Sequence, residues 1–266
     1  MSRIADRFAR LKKDGRRALV PFLTAGDPDL ATTARLLDCL AAAGADVIEL
    51  GIPFSDPMAD GPVIQAASLR ALEAGTTLAD VLELVRDFRN RCQTPVVLMG
   101  YYNPVLQFGP ERFAEQAAEA GVDGLLLVDL PPEEAGELQP HLRRFGVDMI
   151  TLLAPTTPEE RRRELASRAE GYLYYVSMTG VTGASRVDPA AIAAEVEKVR
   201  QDSPVPVAVG FGIASPQDAA AVARFADGVV VGSALVKVIA DFGRSDRLEA
   251  EVSAFVGALR QGIDSA

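Results

Sequence analysis

Short apolar runs recur along the chain at 18–23, 47–50, 96–99, 124–128, 149–153, 172–176, 205–209 and 229–231, each followed by a polar or Gly/Pro-containing loop and then a segment of helical period. The runs are uniformly apolar rather than alternating, which is the pattern of strands buried on both faces and hence of a parallel sheet. Period 3.6 marks the helices between them, as in Leu36, Leu37 and Leu40, in Val81, Leu82, Val85 and Phe88, in Phe113, Ala117 and Ala118, and in Ile192, Val196 and Val199. Eight such strand–helix units in 266 residues fit a (β/α)8 TIM barrel, an α/β fold, better than an open doubly wound sheet. No linker-like tract, low-complexity segment or strong internal repeat divides them, so residues 1–266 are expected to form one domain.

Two departures from the plain repeat are predicted. An extra N-terminal helix carries Ile4, Phe8 and Leu11 at helical spacing, with Ser2 as its cap and Asp14-Gly15 as its end, and should cover one mouth of the barrel. The longest connection, from Gly51 to the helix near Leu78, contains an inserted amphipathic piece over 63–72, and barrels build function in such strand-to-helix loops. The final helix, with Leu248, Val252, Phe255, Val256 and Leu259, completes the outer ring.

The long connection also carries the main candidate chemistry. Glu49 interrupts Val47, Ile48 and Leu50, so its carboxylate is expected at a strand end among apolar walls, with a raised pKa suited to acid/base work. A buried structural acid paired with an arginine is the competing reading, but no basic residue lies close in sequence. Asp60 follows two prolines and precedes Gly61, on a loop stiff enough to fix a charge, although Asp-Gly is also a common turn pair. A second candidate site is Gly210-Phe211-Gly212-Ile213-Ala214-Ser215-Pro216 together with Val231-Gly232-Ser233-Ala234. Glycines at consecutive strand ends, followed by a helix N-terminus, form the kind of cup that holds a phosphate dianion. The loop over 177–186 is rich in small residues, as a lid would be. Tyr101 and Tyr174 are either barrel-filling aromatics or pocket walls.

Composition narrows the field. With 37 acidic against 27 basic residues the net charge is −10, which argues against nucleic acid or an anionic membrane surface as the main partner. The run Arg161-Arg162-Arg163 reads as a solvated helix face carrying i,i+4 pairs. Cys39 and Cys92 have neither metal spacing nor the density of a disulfide scaffold. No apolar stretch reaches signal-peptide or membrane-span length, so a cytoplasmic location is expected. Lys12, Lys13, Lys198 and Lys237 all fall in helical segments, which disfavours a Schiff-base aldolase, and the single histidine, His141, leaves neither a multi-histidine zinc site nor a Ser-His-Asp triad. No metal site is expected. What remains is carboxylate chemistry on a phosphorylated substrate.

The run Ile-Glu-Leu-Gly-Ile-Pro-Phe-Ser-Asp-Pro-Met-Ala-Asp-Gly-Pro-Val-Ile-Gln resembles the signature of the tryptophan synthase alpha chains, and Val-Pro-Phe-Leu-Thr-Ala-Gly-Asp-Pro, Gly-Val-Thr-Gly-Ala and Gly-Phe-Gly-Ile recur in the expected order. The likeness spans essentially the whole chain. It implies a lyase of tryptophan biosynthesis that cleaves indole-3-glycerol phosphate to indole and glyceraldehyde 3-phosphate without a cofactor. By the same resemblance Glu49 would be the acid/base and Asp60 would stabilise positive charge at the indole N–H. Phe22, Met99, Tyr101 and Tyr174 would line the indole pocket, and Gly183, Gly212, Ile213, Gly232 and Ser233 would hold the phosphate. Thr182 would descend with the lid onto Asp60. The family works as an α2β2 complex, with indole channelled to a beta chain that alone carries pyridoxal phosphate, and the partner surface is expected near 53–60 and the lid. Two alternatives stay open: a free-standing indole-3-glycerol-phosphate lyase, and a phosphate-ligand-binding barrel whose carboxylates are not catalytic.

Overall fold

The computed structural model describes residues 2–176, 189–210 and 212–266. Among them, nine strands form one parallel sheet in the order β5-β4-β3-β2-β1-β9-β8-β7-β6. The strands are β1 (Ala18–Thr24), β2 (Ile48–Gly51), β3 (Val96–Gly100), β4 (Gly124–Leu127), β5 (Asp148–Met149), β6 (Thr151–Leu153), β7 (Leu173–Val176), β8 (Val207–Gly210) and β9 (Gly228–Val231). Only Ile150 separates β5 from β6, so the two are halves of one wall position and the sheet closes as an eight-position TIM barrel. The uninterrupted strand expected over 149–153 is therefore corrected to a broken one. β5 pairs with β4 and β6 pairs with β7, because the two halves follow different neighbours.

Residue parity sorts the strands into two cores. Ala18, Val20, Val47, Val97, Leu126, Ile150, Tyr172, Tyr174, Ala208 and Val230 point inward and fill the barrel. Leu19, Leu23, Ile48, Leu50, Leu98, Leu125, Leu127, Val207, Val209 and Val229 point outward, against helices such as α2 (Leu30–Ala42), α4 (Leu78–Arg89) and α12 (Leu248–Asp264). Both faces are thus apolar, which is why no strand alternates.

The N-terminal helix α1 (Arg3–Lys13) starts at Ser2, whose hydroxyl accepts from the Ala5 N–H. Its Ile4, Phe8 and Leu11 plug the lower mouth, with Phe8 set 5.9 Å from the Tyr172 ring. Around that mouth one device recurs that the sequence pattern hides. A helix ends, and an aspartate opens the next strand: Asp46 accepts the Leu19 N–H, Asp123 accepts the Val96 N–H and Asp227 accepts the Val207 N–H. Each aspartate also meets arginine: Arg260 and Arg7 at Asp46, Arg89 and Arg3 at Asp123, and Arg200 at Asp227. Asp46 and Asp123 are buried, Asp227 half-buried, and buried acids persist when both charge and lone pairs are matched. The expectation of a solvated basic run needs a similar correction. Arg163 does pair with Glu159 at i,i+4, but Arg162 is buried, 3.1 Å from Asp202.

Above the barrel, α3 (Pro62–Glu73) is the inserted helix of the long connection. Arg70 on it makes two hydrogen bonds, 2.7 and 2.8 Å, to buried Asp27 in the loop after β1, and so fixes α3 over the upper mouth. No described helix is long and apolar enough to cross a membrane.

Candidate active site

Glu49 occupies the second position of β2, beside Phe22 of β1 and Val97 of β3, and parity turns it inward. It lies two residues below the strand's C-terminal end and is fully buried. One oxygen, Oε1, accepts a 2.6 Å hydrogen bond from the Tyr172 hydroxyl, whereas Oε2 is buried without a hydrogen-bond partner among the described residues. Burial penalises the charged form and drives the carboxyl up to about 8, against the opposing pull of the Tyr172 bond. Among the described residues no basic side chain forms an ion pair with it, so the acid–arginine reading finds no support there. Burial thus favours the neutral form of Glu49 at physiological pH, and the tyrosines Tyr172 and Tyr174 are held far above their ordinary range by burial and, where Glu49 is ionised, by its charge.

One layer higher, Phe22, Thr24, Gly51, Ile52, Asp60, Ile64, Met99 and Tyr101 surround a cleft. Gly51 is needed because a Cβ there would lie 2.7 Å from the Phe22 ring, which folds across the strand end above Glu49. Among the described residues the cavity at this point holds about 10 Å³, room for a single water. Tyr174, also buried, lies deeper, its hydroxyl against Gly210, where a Cβ would sit 2.2 Å away.

Asp60 closes one side of the cleft. The Tyr101 hydroxyl donates to its Oδ2 at 3.1 Å and accepts the Ala59 N–H at 2.9 Å, so one phenol fixes both the carboxylate and its backbone. Gln65 on α3 donates to the Asp60 carbonyl at 2.8 Å. Partial burial raises the Asp60 carboxyl to about 6, opposed by the Tyr101 bond, which leaves it mostly ionised at neutral pH. Asp56 in the same loop takes no part: it is exposed and pairs with the Ser55 hydroxyl.

Across the mouth, Gly232 precedes α11 (Ser233–Phe242), whose first turn has no side-chain cap. By contrast, α10 (Pro216–Ala223) has its first N–H groups occupied by Ser215 and Asp218 in a capping box. Among the described residues the Gly232-Ser233 end is thus the one without a side-chain cap, and that end adjoins the cleft because Val236 packs with Phe22, Ile64 and Ala67. Gly212, at φ 73°, and buried Ile213 lie in the neighbouring loop. Thr182 and Gly183, with the rest of the expected lid over 177–186, lie outside the described residues.

Two contacts of these carboxylates give little signal in the sequence. Tyr172 gives no signal beyond its position two residues before Tyr174, which places both rings on the inward face. The bond from Tyr101 to Asp60 joins residues 41 apart and depends on loop geometry.

Comparison with known proteins identifies the family. Residues 8–264 match the family model described as tryptophan synthase alpha chain. A tryptophan synthase alpha chain of Geobacter sulfurreducens is 58% identical over 263 residues, 99% of each chain. The crystal structure of tryptophan synthase subunit alpha from Legionella pneumophila superposes with a TM-score of 0.93 at 44% identity, covering 100% of both chains. A structure of Mycobacterium tuberculosis tryptophan synthase superposes with a TM-score of 0.90 at 36% identity, covering 98% of each.

Proposed function

The chain belongs to the tryptophan synthase alpha chain family, a lyase subunit that cleaves indole-3-glycerol phosphate, and we propose how its residues divide that reaction. The observation that carries the proposal is the separation of two carboxylates by environment: Glu49, fully buried in the barrel against the Tyr172 hydroxyl, is pushed up to about 8, and Asp60, held by the Tyr101 hydroxyl at the mouth, to about 6. Two acids whose environments push them apart can serve as proton donor and fixed anion at one pH.

Neutral Glu49 gives its proton to C3 of the indole, which creates positive charge on the ring nitrogen. Ionised Asp60 accepts the indole N–H more strongly as that charge grows, an interaction made chiefly in the transition state. The bond from C3 to the hydroxyl-bearing carbon then breaks, and its electron pair restores the aromatic ring. The hydroxyl proton leaves to the Glu49 carboxylate, so the residue ends protonated as it began, and the products are indole and glyceraldehyde 3-phosphate. Phe22, Met99, Tyr101 and Tyr174 would enclose the ring, while Gly212, Ile213, Gly232 and Ser233 would hold the phosphate with backbone N–H groups. Thr182 and Gly183 would complete the site from the lid.

The alpha subunit needs no cofactor of its own and pairs with a beta chain. We further propose an α2β2 assembly in which the beta chain carries pyridoxal phosphate and receives the indole by channelling, in the cytoplasm, with residues 1–266 acting as one domain. The loop over 53–60, where Met58 is 81% exposed, is the surface that would meet the partner and place Asp60. An indole-release assay on the purified chain, with and without a beta chain, tests this reading. Release stimulated by the partner is expected; high turnover alone, unchanged by the partner, would instead indicate a free-standing lyase, and no release would indicate a binding protein.

A further inference from the structure

The Glu49 carboxyl is oriented by a single hydrogen bond. Among the described residues its Oε1 has the Tyr172 hydroxyl and its Oε2 has no hydrogen-bond partner. The last torsion of a glutamate is broad, so this bond, and not the rotamer, sets the plane of the carboxyl group. The bond also crosses the barrel. Tyr172 immediately precedes β7, and β1, β9 and β8 separate β7 from β2 in the sheet order, which puts the two strands opposite each other in an eight-position wall. The hydroxyl is therefore at the end of a side chain that reaches over the lumen, and a small swing of the ring is magnified at its oxygen.

What fixes the ring lies below it. Phe8 of α1 sets its own ring 5.9 Å from that of Tyr172, at an interplanar angle of 36°. It enters a layer that the strands leave thin, at Ala18 of β1, Ala208 of β8 and Gly228 of β9. A Cβ added at Gly228 would lie 3.1 Å from that of Ala208, 3.4 Å from that of Ala18 and 3.5 Å from the Phe8 ring. Barrel interiors are ordinarily filled by bulky strand side chains, so here a helix completes the layer instead. The helix is in turn pinned at three strand entrances. The Ser2 hydroxyl donates to Asp148 at 2.9 Å, Arg3 to Asp123 at 2.8 Å and Arg7 to Asp46 at 2.9 Å. Arg7 is the neighbour of Phe8, and Asp46 leads into β2, so one clamp ties the plug to the strand that carries Glu49.

We propose that α1 is a positioning element of the active site: Phe8 holds the Tyr172 ring so that the Tyr172 hydroxyl stays on the Glu49 carboxyl. No residue of α1 lines the cleft, so the helix acts through Tyr172 and Glu49. A plain packing role would cost stability when the Phe8 ring is trimmed and leave the behaviour of Glu49 as it was. The catalytic consequence rests on the acid/base reading of Glu49 above; the titration of Glu49 itself does not.

The test compares Phe8→Leu, which keeps the floor apolar, with Tyr172→Phe, singly and together. In the full chain labelled with 13C at the glutamate carboxyls, the Glu49 signal is identified by its loss in Glu49→Gln and its titration midpoint is read directly. The titratable groups that face Glu49 are Tyr172 and Tyr174, both neutral through the range followed. The Tyr172 bond favours the charged carboxylate, so each single variant should raise the Glu49 midpoint. Indole release should lose about tenfold or more in kcat with KM unchanged, since a misplacement of about 1 Å can cost about 10²-fold. In the Tyr172→Phe background, Phe8→Leu should add nothing to either effect. The proposal is overturned if Phe8→Leu leaves the midpoint in place or lowers it, if kcat falls without a change of midpoint, or if its effects add to those of Tyr172→Phe. Should Phe8→Leu fail to fold, Phe8→Met is read in the same way. A raised midpoint in a chain that releases no indole would count against the cleavage reading alone and leave the positioning role standing.

Discussion

Replacing Glu49 with glutamine keeps the side chain's shape and its acceptor for the Tyr172 hydroxyl while removing the titrating proton. The unpartnered Oε2 becomes an unpartnered amide nitrogen, so the polar cost of the site is roughly conserved. What changes is the linkage to pH. The Glu49 carboxyl is raised from 4.5 to about 8 by burial, so the folded chain holds a proton that the unfolded chain has released. Below the lower value both states are protonated and nothing is lost. Stability then declines as pH rises toward 8 and stays reduced above it. At about 1.36 kcal/mol per unit the full loss is on the order of 5 kcal/mol. Glu49→Gln escapes this loss, so urea unfolding should show a variant close to wild type at pH 4 and several kcal/mol more stable at pH 9. Indole release by the same variant should fall by about 10²–10⁴, the usual worth of a positioned acid/base. Equal stabilisation at both pH values would refute the burial account, and turnover within about tenfold of wild type would refute the catalytic one.

Other expectations follow from the same geometry. The isolated chain's kcat/KM for cleavage should rise with pH near 6, as Asp60 ionises, and fall near 8, as Glu49 loses its proton; a profile flat across that interval would contradict the division of roles. Tyr101→Phe removes the hydrogen bond that favours the Asp60 carboxylate, so the acid limb should move to higher pH and kcat should drop by about tenfold, which stopped-flow or steady-state indole assays across pH will show. Arg260→Met leaves the buried Asp46 with Arg7 as its remaining salt-bridge partner and should cost about 1.5–3 kcal/mol in denaturant unfolding with kcat unchanged; an altered kcat would mean that the lower mouth communicates with the chemistry. Gly51→Ala drives a methyl into the Phe22 ring and should raise KM more than it lowers kcat.

The fold was legible because a parallel barrel buries both faces of every strand, and eight apolar runs with intervening helical period have few other solutions. Glu49 was legible for the same reason: a carboxylate inside such a run has no solvent face to occupy. The break at Ile150 was not, since Met149-Ile150-Thr151-Leu152-Leu153 is an ordinary strand sequence and the interruption arises from how β4 and β6 are drawn to opposite neighbours. Arg162 was misread because its flanking arginines are exposed and only packing against Asp202 sets it apart. Tyr172 was overlooked because an aromatic inside a barrel usually needs no explanation; its hydroxyl acquires one only when register brings Glu49 opposite.

In the sheet order, β1 and β9 lie at the centre and the break at Ile150 lies at the two ends, so the β1–β9 ladder faces the break across the barrel like the spine of a book opposite its open edge. With the roles proposed here, β1 to β3 and their loops carry most of the groups for the ring, Tyr174 on β7 faces it from the other cover, and β8 and β9 carry those for the phosphate. Intact substrate is then held at its ring and at its phosphate at once, and each fragment at only one of the two. Breaking a single carbon–carbon bond thereby leaves each product with half of the grip at the moment it needs to depart.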